Sequence, residues 1–241
     1  MIQIQNVSKS YVTGKKSVDG LNLEIKNGEI FGFLGPNGAG KTTTIRMITG
    51  ILNPDEGDIL LDGKSITKDA LEAKRQFGFV PDSPDMFLRL KGIEYLNFIA
   101  DMYDIPRDVR RQKIEDLTKR FEIYDVLSNQ MQSYSHGMRQ KIIIASMLMN
   151  NPKNWILDEP MTGLDPKSSY DLKEQMREHA KNGNSVFFST HVLEVAEKLC
   201  DRVGIISKGR LAFVGTYDEM KSKFKENASL EELFLELTEH E

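Results

Sequence analysis

The stretch "GPNGAGKTT", residues 35–43, decides how the rest of the chain is read. It follows the apolar run "EIFGFL" and opens a segment, about Gly40 to Ile51, that reads as a helix. A glycine-rich loop between strand and helix with the form G-x-x-x-x-G-K-[ST] is built to hold phosphate. Gly35, Gly38 and Gly40 let the backbone curl until its N–H groups point inward around phosphate oxygens, with Pro36, Asn37 and Ala39 completing the cradle. Lys41 reaches the β- and γ-phosphates, the Thr42 hydroxyl can ligate Mg²⁺, and Thr43 stands next on the α-phosphate side. At an ordinary glycine frequency of about 7%, a chance match in a chain of this length is roughly a one-in-a-hundred event. The strand-loop-helix context lowers that further, so nucleotide binding is the expectation.

Outward from the loop, alternating or compact apolar runs predict strands at "MIQIQNV", "LNLEIK", "EIFGFLG", "FGFV" (77–80), "WILD", "SVFFST" and "VGIIS", with a short strand and turn in "GDILLDGKSI". Helices are predicted at Gly92 to Tyr103, Arg107 to Phe121, Ser135 to Met149, 167 to 181 and 192 to 200. Strands alternating with helices imply an α/β fold with a mostly parallel sheet covered on both faces. From Asp82 to Asn150 no strand pattern appears, so the helices there form an insertion into that domain. Asp165-Pro166 suits a helix N-cap followed by proline at the first helical position. The charged run "PRDVRRQKIEDLTKRFE" is a solvated helix face or an interaction surface.

The chain has 241 residues, 39% of them hydrophobic and 28% charged, as in ordinary globular proteins. A net charge of −4 gives no global reason to expect a nucleic-acid partner. The longest apolar stretch, Ile142 to Met149, is too short to cross a bilayer. The first residues lack the basic start and apolar centre of a secretory signal. The single cysteine, Cys200, excludes an intrachain disulfide and a cysteine metal cluster. Together these features favour the cytoplasm.

"NWILDEP" ends an apolar strand on two acids. At the carboxyl end of a strand the chain is leaving the sheet, and ligands of open α/β sheets bind in that crevice. Asp158 can hold Mg²⁺, directly or through water, while Glu159 can polarise an attacking water. His191, just past "FFST", falls at the same edge and could hydrogen-bond a γ-phosphate. In "SYSHGMRQK" Ser135 reads as a helix N-cap. The glycine in that helix's first turn costs up to about 1 kcal/mol against alanine, which raises the question of a phosphate contact at the bare helix start.

Taken in order, the phosphate loop 35–43, a signature-like stretch 134–141, the acids ending 155–159, "TGLDP" 162–166 and His191 resemble the ATP-binding cassette (ABC) family over nearly the whole chain. The resemblance implies a P-loop NTPase fold with a mostly parallel central sheet and an N-terminal antiparallel β part. It implies one domain over 1–241, a helical subdomain inserted at about 83–150 and a short C-terminal helical tail at about 217–241. It implies that ATP and Mg²⁺ bind, with Thr42, Asp82 and Asp158 as metal-side groups and Tyr11 as the aromatic on adenine. Glu159 would act as general base and His191 as γ-phosphate switch. Ser135, His136 and Gly137 would close over ATP held by a second cassette, and Leu164 and Asp165 would form the D-loop crossing to it. The implied partners are that second cassette and a separately encoded membrane permease, at the cytoplasmic face of the membrane. "MFLRLKGIEYLNFIADMYDI" resembles the surface that receives the permease, where Met86, Phe87 and Leu88 serve a groove or belong to the core. The tail "NASLEELFLELTEHE" resembles the acidic helix ending many single-cassette exporter ATPases, or is simply a packing helix.

Three departures bear on this. The signature usually reads L-S-G-G-Q, but here His136 replaces the first glycine and Met138 the glutamine. Asp82 stands where glutamine usually follows "FGFVP". His136 either uses only its backbone N–H or turns its imidazole to the phosphate. Two other readings fit less. A soluble factor acting on ribosomes or DNA would carry paired cassettes or a long coiled-coil insertion. A P-loop GTPase would carry an N/T-K-x-D motif, and a kinase would leave "STH" and "GLDP" unexplained.

Overall fold

The computed structural model describes residues 1–12, 14–224 and 230–239. Two sheets frame the nucleotide loop. The first is antiparallel, in the order β2-β1-β4-β5, from β1 (Ile2–Val12), β2 (Lys15–Ile25), β4 (Glu56–Leu61) and β5 (Lys64–Ser65). The second has the order β10-β9-β3-β8-β7-β6, from β3 (Ile30–Leu34), β6 (Phe77–Val80), β7 (Asn154–Asp158), β8 (Ser185–Ser189), β9 (Arg202–Ser207) and β10 (Arg210–Gly215). Its pairings are parallel except at β10, which closes the edge as a hairpin partner of β9. Helix α1 (Lys41–Ile48) follows the loop and α2 (Ala70–Lys74) is a short connector. Between β6 and β7 come α3 (Gly92–Met102), α4 (Arg107–Arg120) and α5 (His136–Asn150). Then α6 (Pro166–Lys181) and α7 (Leu193–Leu199) alternate with strands, and α8 (Tyr217–Phe224) and α9 (Leu230–Glu239) follow β10.

The period of two along each strand divides the apolar residues between cores. Phe31, Phe33, Phe77, Ile156 and Phe187 face the antiparallel sheet, with Ile45, Met47 and Ile48 of α1 packed between. Phe187 sits between Phe31 and Phe33, at centroid distances of 6.0 and 5.3 Å. Removing such a buried ring costs about 3–5 kcal/mol. Val80, Trp155, Leu157, Val186 and Phe188 face the other way and share one core with Tyr95, Leu96, Ile142, Ile143 and Ile144. The inserted helices thus complete the sheet's second face. Every residue of α5 from Gln140 to Met149 is buried, which is why "IIIASMLM" shows no polar face. Ser135 is its N-cap, its hydroxyl accepting from the Met138 N–H at 3.2 Å.

Several boundaries differ from the sequence-based expectation. β1 runs on to Val12 because shifts of register and a left-handed Asn6 (φ 51°) carry it past the point where the alternation breaks. β2 begins at Lys15 rather than Leu21, and α1 ends at Ile48. α2 and β10 were not expected. β10 follows a two-residue turn with both φ values positive, at Lys208 and Gly209, the signature of a tight hairpin. In the expected tail helix, 227–229 and 240–241 lie outside the described residues. Within it α9 buries Leu230 and Leu233 against Leu34, Ile205, Phe213 and Met220, so its apolar face packs on the second sheet's edge core.

Candidate nucleotide site

β3, β8 and β7 are neighbours, so the loops leaving their carboxyl ends converge. The phosphate loop leaves β3, His191 follows β8, and Glu159 follows β7. Ser189 pairs in register with Phe33 on one side and Asp158 on the other. The loop passes tightly between the sheets. Gly40 has φ 113°, and a Cβ there would lie 2.7 Å from the Ser17 carbonyl oxygen. No side chain caps α1, so its first N–H groups are left for an anion. The Lys41 ammonium donates to the carbonyls of Gly35 (2.6 Å) and Pro36 (3.2 Å). Burial lowers its pKa, and the carboxylates of Glu159 and Asp158 oppose that shift. Tyr11 is exposed at the end of β1, with its hydroxyl 3.4 Å from Thr43 Oγ1.

Asp158 is buried, and burial raises its pKa. Hydrogen bonds from Ser189 and Thr42 pull it down, while the charges of Asp82 and Glu159 push it up. The Ser189 hydroxyl donates to Asp158 Oδ1 at 2.6 Å and accepts from the Glu159 N–H at 3.0 Å. Strict alternation would point Glu159 away from Asp158. Its left-handed backbone, φ 47°, returns it to the crevice, where Oε2 lies 2.9 Å from His191 Nδ1. Asp82 is exposed just past β6, the strand beside β7.

The signature residues Ser135, His136 and Gly137 lie apart from this group: among the described residues, no hydrogen bond or ion pair joins them to the phosphate loop. α5 is instead registered on the segment that follows Glu159. Gln140 Nε2 donates to the Pro160 carbonyl at a long 3.5 Å, and Lys141 pairs with Asp165 at 2.6 Å. Asp165 caps α6, accepting from the Ser168 N–H and hydroxyl at 2.9 and 2.8 Å. Lys141 first, and Ser168 after it, hold its carboxyl well below the usual carboxylate range. Sequence reasoning missed Ser189, Gln140 and Lys141. A serine ending an apolar strand one strand away from a paired acid was the available signal for Ser189. The other two depend on a pairing between distant segments. A concavity of about 860 Å³ between α3 and α4, floored by Ile93 and Ile114, lies away from these groups. Chemistry rather than volume locates the site.

A phosphate loop on β3, two acids ending β7 and a histidine after β8 define a P-loop nucleotide-binding cassette. The ABC transporter family profile matches residues 18–162. Over 242 residues the chain is 33% identical to the ABC-type transporter ATP-binding protein EcsA of Bacillus subtilis (strain 168), covering 100% of this chain and 98% of that one. The fold matches a solved ATP binding subunit of an ABC transporter with a TM-score of 0.93 and 32% identity, covering 98% of this chain and 99% of the other. It also matches the dimeric structure of the ATP-binding cassette MJ0796 in a post-hydrolysis state bound to ADP and Pi (TM-score 0.79, 26% identity, 90% and 98% covered). The chain belongs to the ABC transporter family and is an ATP-binding, ATP-hydrolysing subunit. Among the described residues no helix is long and apolar enough to cross a membrane.

Proposed function

We propose that this cassette pairs face to face with a second one, and that ATP-driven closure of the pair moves substrate, in the export direction, through a separate membrane permease. The observation that carries the chemistry is the Asp158–Glu159 pair, turned into one crevice beside Lys41 by the left-handed Glu159. Lys41 and the loop N–H groups bind the β- and γ-phosphates, and Tyr11 lies against the base. The oxygen donors of Thr42, Asp158 and Asp82 suit Mg²⁺, a hard cation that keeps several waters. The Thr42 hydroxyl and the Asp82 charge both act on the Asp158 carboxyl, so the three are near one another. When bound, Mg²⁺ would neutralise charge developing on the phosphate oxygens. Glu159 orients a water toward the γ-phosphorus and accepts its proton as the P–O bond to ADP breaks, and His191 holds Glu159 on one side and faces the γ-phosphate on the other.

The trans arrangement has its own support. Among the described residues no hydrogen bond or ion pair joins Ser135, Gly137 or the D-loop residues Leu164 and Asp165 to their own phosphate loop, so on this reading a second copy presents them to it. We assign the helical region at about 83–150 as the subdomain that carries the signature and receives the permease, and the 217–241 segment as a packing tail within one domain. Met86 and Phe87 are exposed, as are Phe98 and Met102, and the Phe87 ring lies 5.6 Å from that of Phe98. Tyr95, Leu96 and Ala100 of the same stretch belong to the core. The exposed ridge suits a permease segment and supports the reading of a cassette working at the cytoplasmic face of the membrane. The acidic tail's resemblance to exporter cassettes supports the direction.

A mixing experiment tests the dimer. Lys41→Ala and Ser135→Ala chains are each expected to be inactive, but together they rebuild one complete site from the intact loop of one and the intact signature of the other. Absence of recovered ATPase in the mixture would refute the trans site.

A further inference from the structure

We infer that His136 is a positioning residue, a wedge that holds the D-loop against the signature helix of its own cassette so that both move as one piece. The inference rests on the trans reading above and adds what makes the two elements act together. From the sequence the imidazole has two possible uses, none or a phosphate. The structure gives a third. The Gly163 backbone runs so close to the ring that a Cβ on Gly163 would lie 2.5 Å from His136 Cδ2 and 3.3 Å from Nε2. From the same helix, Gly137 meets the Gly163 carbonyl: a Cβ on Gly137 would lie 2.3 Å from that oxygen. Gly163 is thus held by a ring and a backbone from adjacent positions of α5.

The surrounding contacts form a ladder. Gln140 meets Pro160, His136 and Gly137 meet Gly163, and Lys141 meets Asp165. Met161 and Leu164 pack on the core beneath, so the ends of the loop are anchored. The apex, Thr162 and Gly163, is exposed, and His136 is the side chain seated on it. Glycine at 136, as in the usual signature, would leave that apex without the ring's dispersion contacts and free to shift. The loop begins directly after Glu159, so its position also bears on where the acid sits. Displacements of about 1 Å around a reacting group cost up to about 10²-fold in rate.

The test compares steady-state ATP turnover and equilibrium nucleotide affinity for His136→Gly, His136→Phe and Ser135→Ala. The inference expects His136→Gly to lower kcat by roughly tenfold with nucleotide affinity unchanged, and His136→Phe, which keeps a ring of similar size, to restore most of the rate. An unchanged or raised kcat in His136→Gly overturns it, as does a His136→Phe variant as slow as His136→Gly, which would assign the imidazole to chemistry. If Ser135→Ala abolishes turnover while His136→Gly is silent, the positioning role alone fails. If Ser135→Ala is silent too, the trans reading fails with it. Gly163→Ala gives an independent check: beyond the strain its φ of +78° imposes in either background, its Cβ collides with the ring, so its loss of rate should be smaller in the His136→Gly background. Equal losses in both backgrounds refute the contact.

Discussion

Ser189 stands directly opposite Asp158 in the parallel pair β8–β7, and its hydroxyl is spent twice, donating to the Asp158 carboxylate and accepting from the Glu159 N–H. One small side chain on the neighbouring strand therefore fixes both acids of the site. Ser189→Ala would leave a buried carboxylate oxygen and a backbone N–H without this partner. A buried group left unsatisfied costs about 1–3 kcal/mol. We expect Ser189→Ala to lower the melting temperature by several degrees and turnover by about tenfold. Thermal denaturation and phosphate release measured on the same preparation check both, and wild-type values in each would show the bridge to be incidental.

On the proposed function, Lys41→Ala removes a charge-assisted contact to the phosphates. Such contacts contribute about 1.5–3 kcal/mol, so nucleotide affinity should fall by roughly ten- to a hundredfold. Calorimetric titration with ATP measures this directly. Retained affinity would move the phosphate site away from residues 35–43.

Glu159→Gln keeps the shape of the side chain but cannot accept the proton from water. Turnover should drop by about 10²-fold or more, and ATP should then trap the closed pair, seen as an ATP-dependent shift to earlier elution on size-exclusion chromatography. Full turnover in this variant would transfer the base role to another group.

His179 makes a prediction unrelated to catalysis. Its ring stacks on Trp155 with centroids 4.0 Å apart, and Nε2 lies 3.1 Å from the Lys153 carbonyl oxygen. Burial pulls its pKa down from 6.5 to about 4, against a smaller upward pull from that carbonyl. Above pH 6.5 the ring is neutral folded and unfolded alike, and adds no pH dependence. As pH falls from 6.5 to about 4 the unfolded chain takes up a proton that the folded chain refuses, so stability is lost, by up to about 3 kcal/mol. Below that the contribution levels off. His179→Phe keeps the stack without the titration and should flatten this part of the stability–pH curve in denaturant unfolding; an unaltered slope would assign the effect elsewhere.

What the sequence made legible followed local rules. "FGFV" matches β6 at both ends, Asp165-Pro166 starts α6 as expected, and the phosphate loop sits between strand and helix. The site candidates at three strand ends meet because a parallel sheet brings its carboxyl edges together. The bulged course of β1 escaped because the alternation lapses where the register shifts. The turn of Glu159 escaped because nothing in "LDEP" announces a left-handed glutamate. Lys141–Asp165 and His136–Gly163 escaped because they join segments more than twenty residues apart.

The two-residue period of β8 ties strand register to the site. Val186 and Phe188 serve one core, Phe187 the other, and Ser189 comes next. A slip of one residue against β7 would exchange the faces of the strand and swing Ser189 off Asp158. On the proposed function the site is therefore a checksum on sheet assembly: a chain that has paired its central strands wrongly also fails at the acids, and active molecules report their own correct folding.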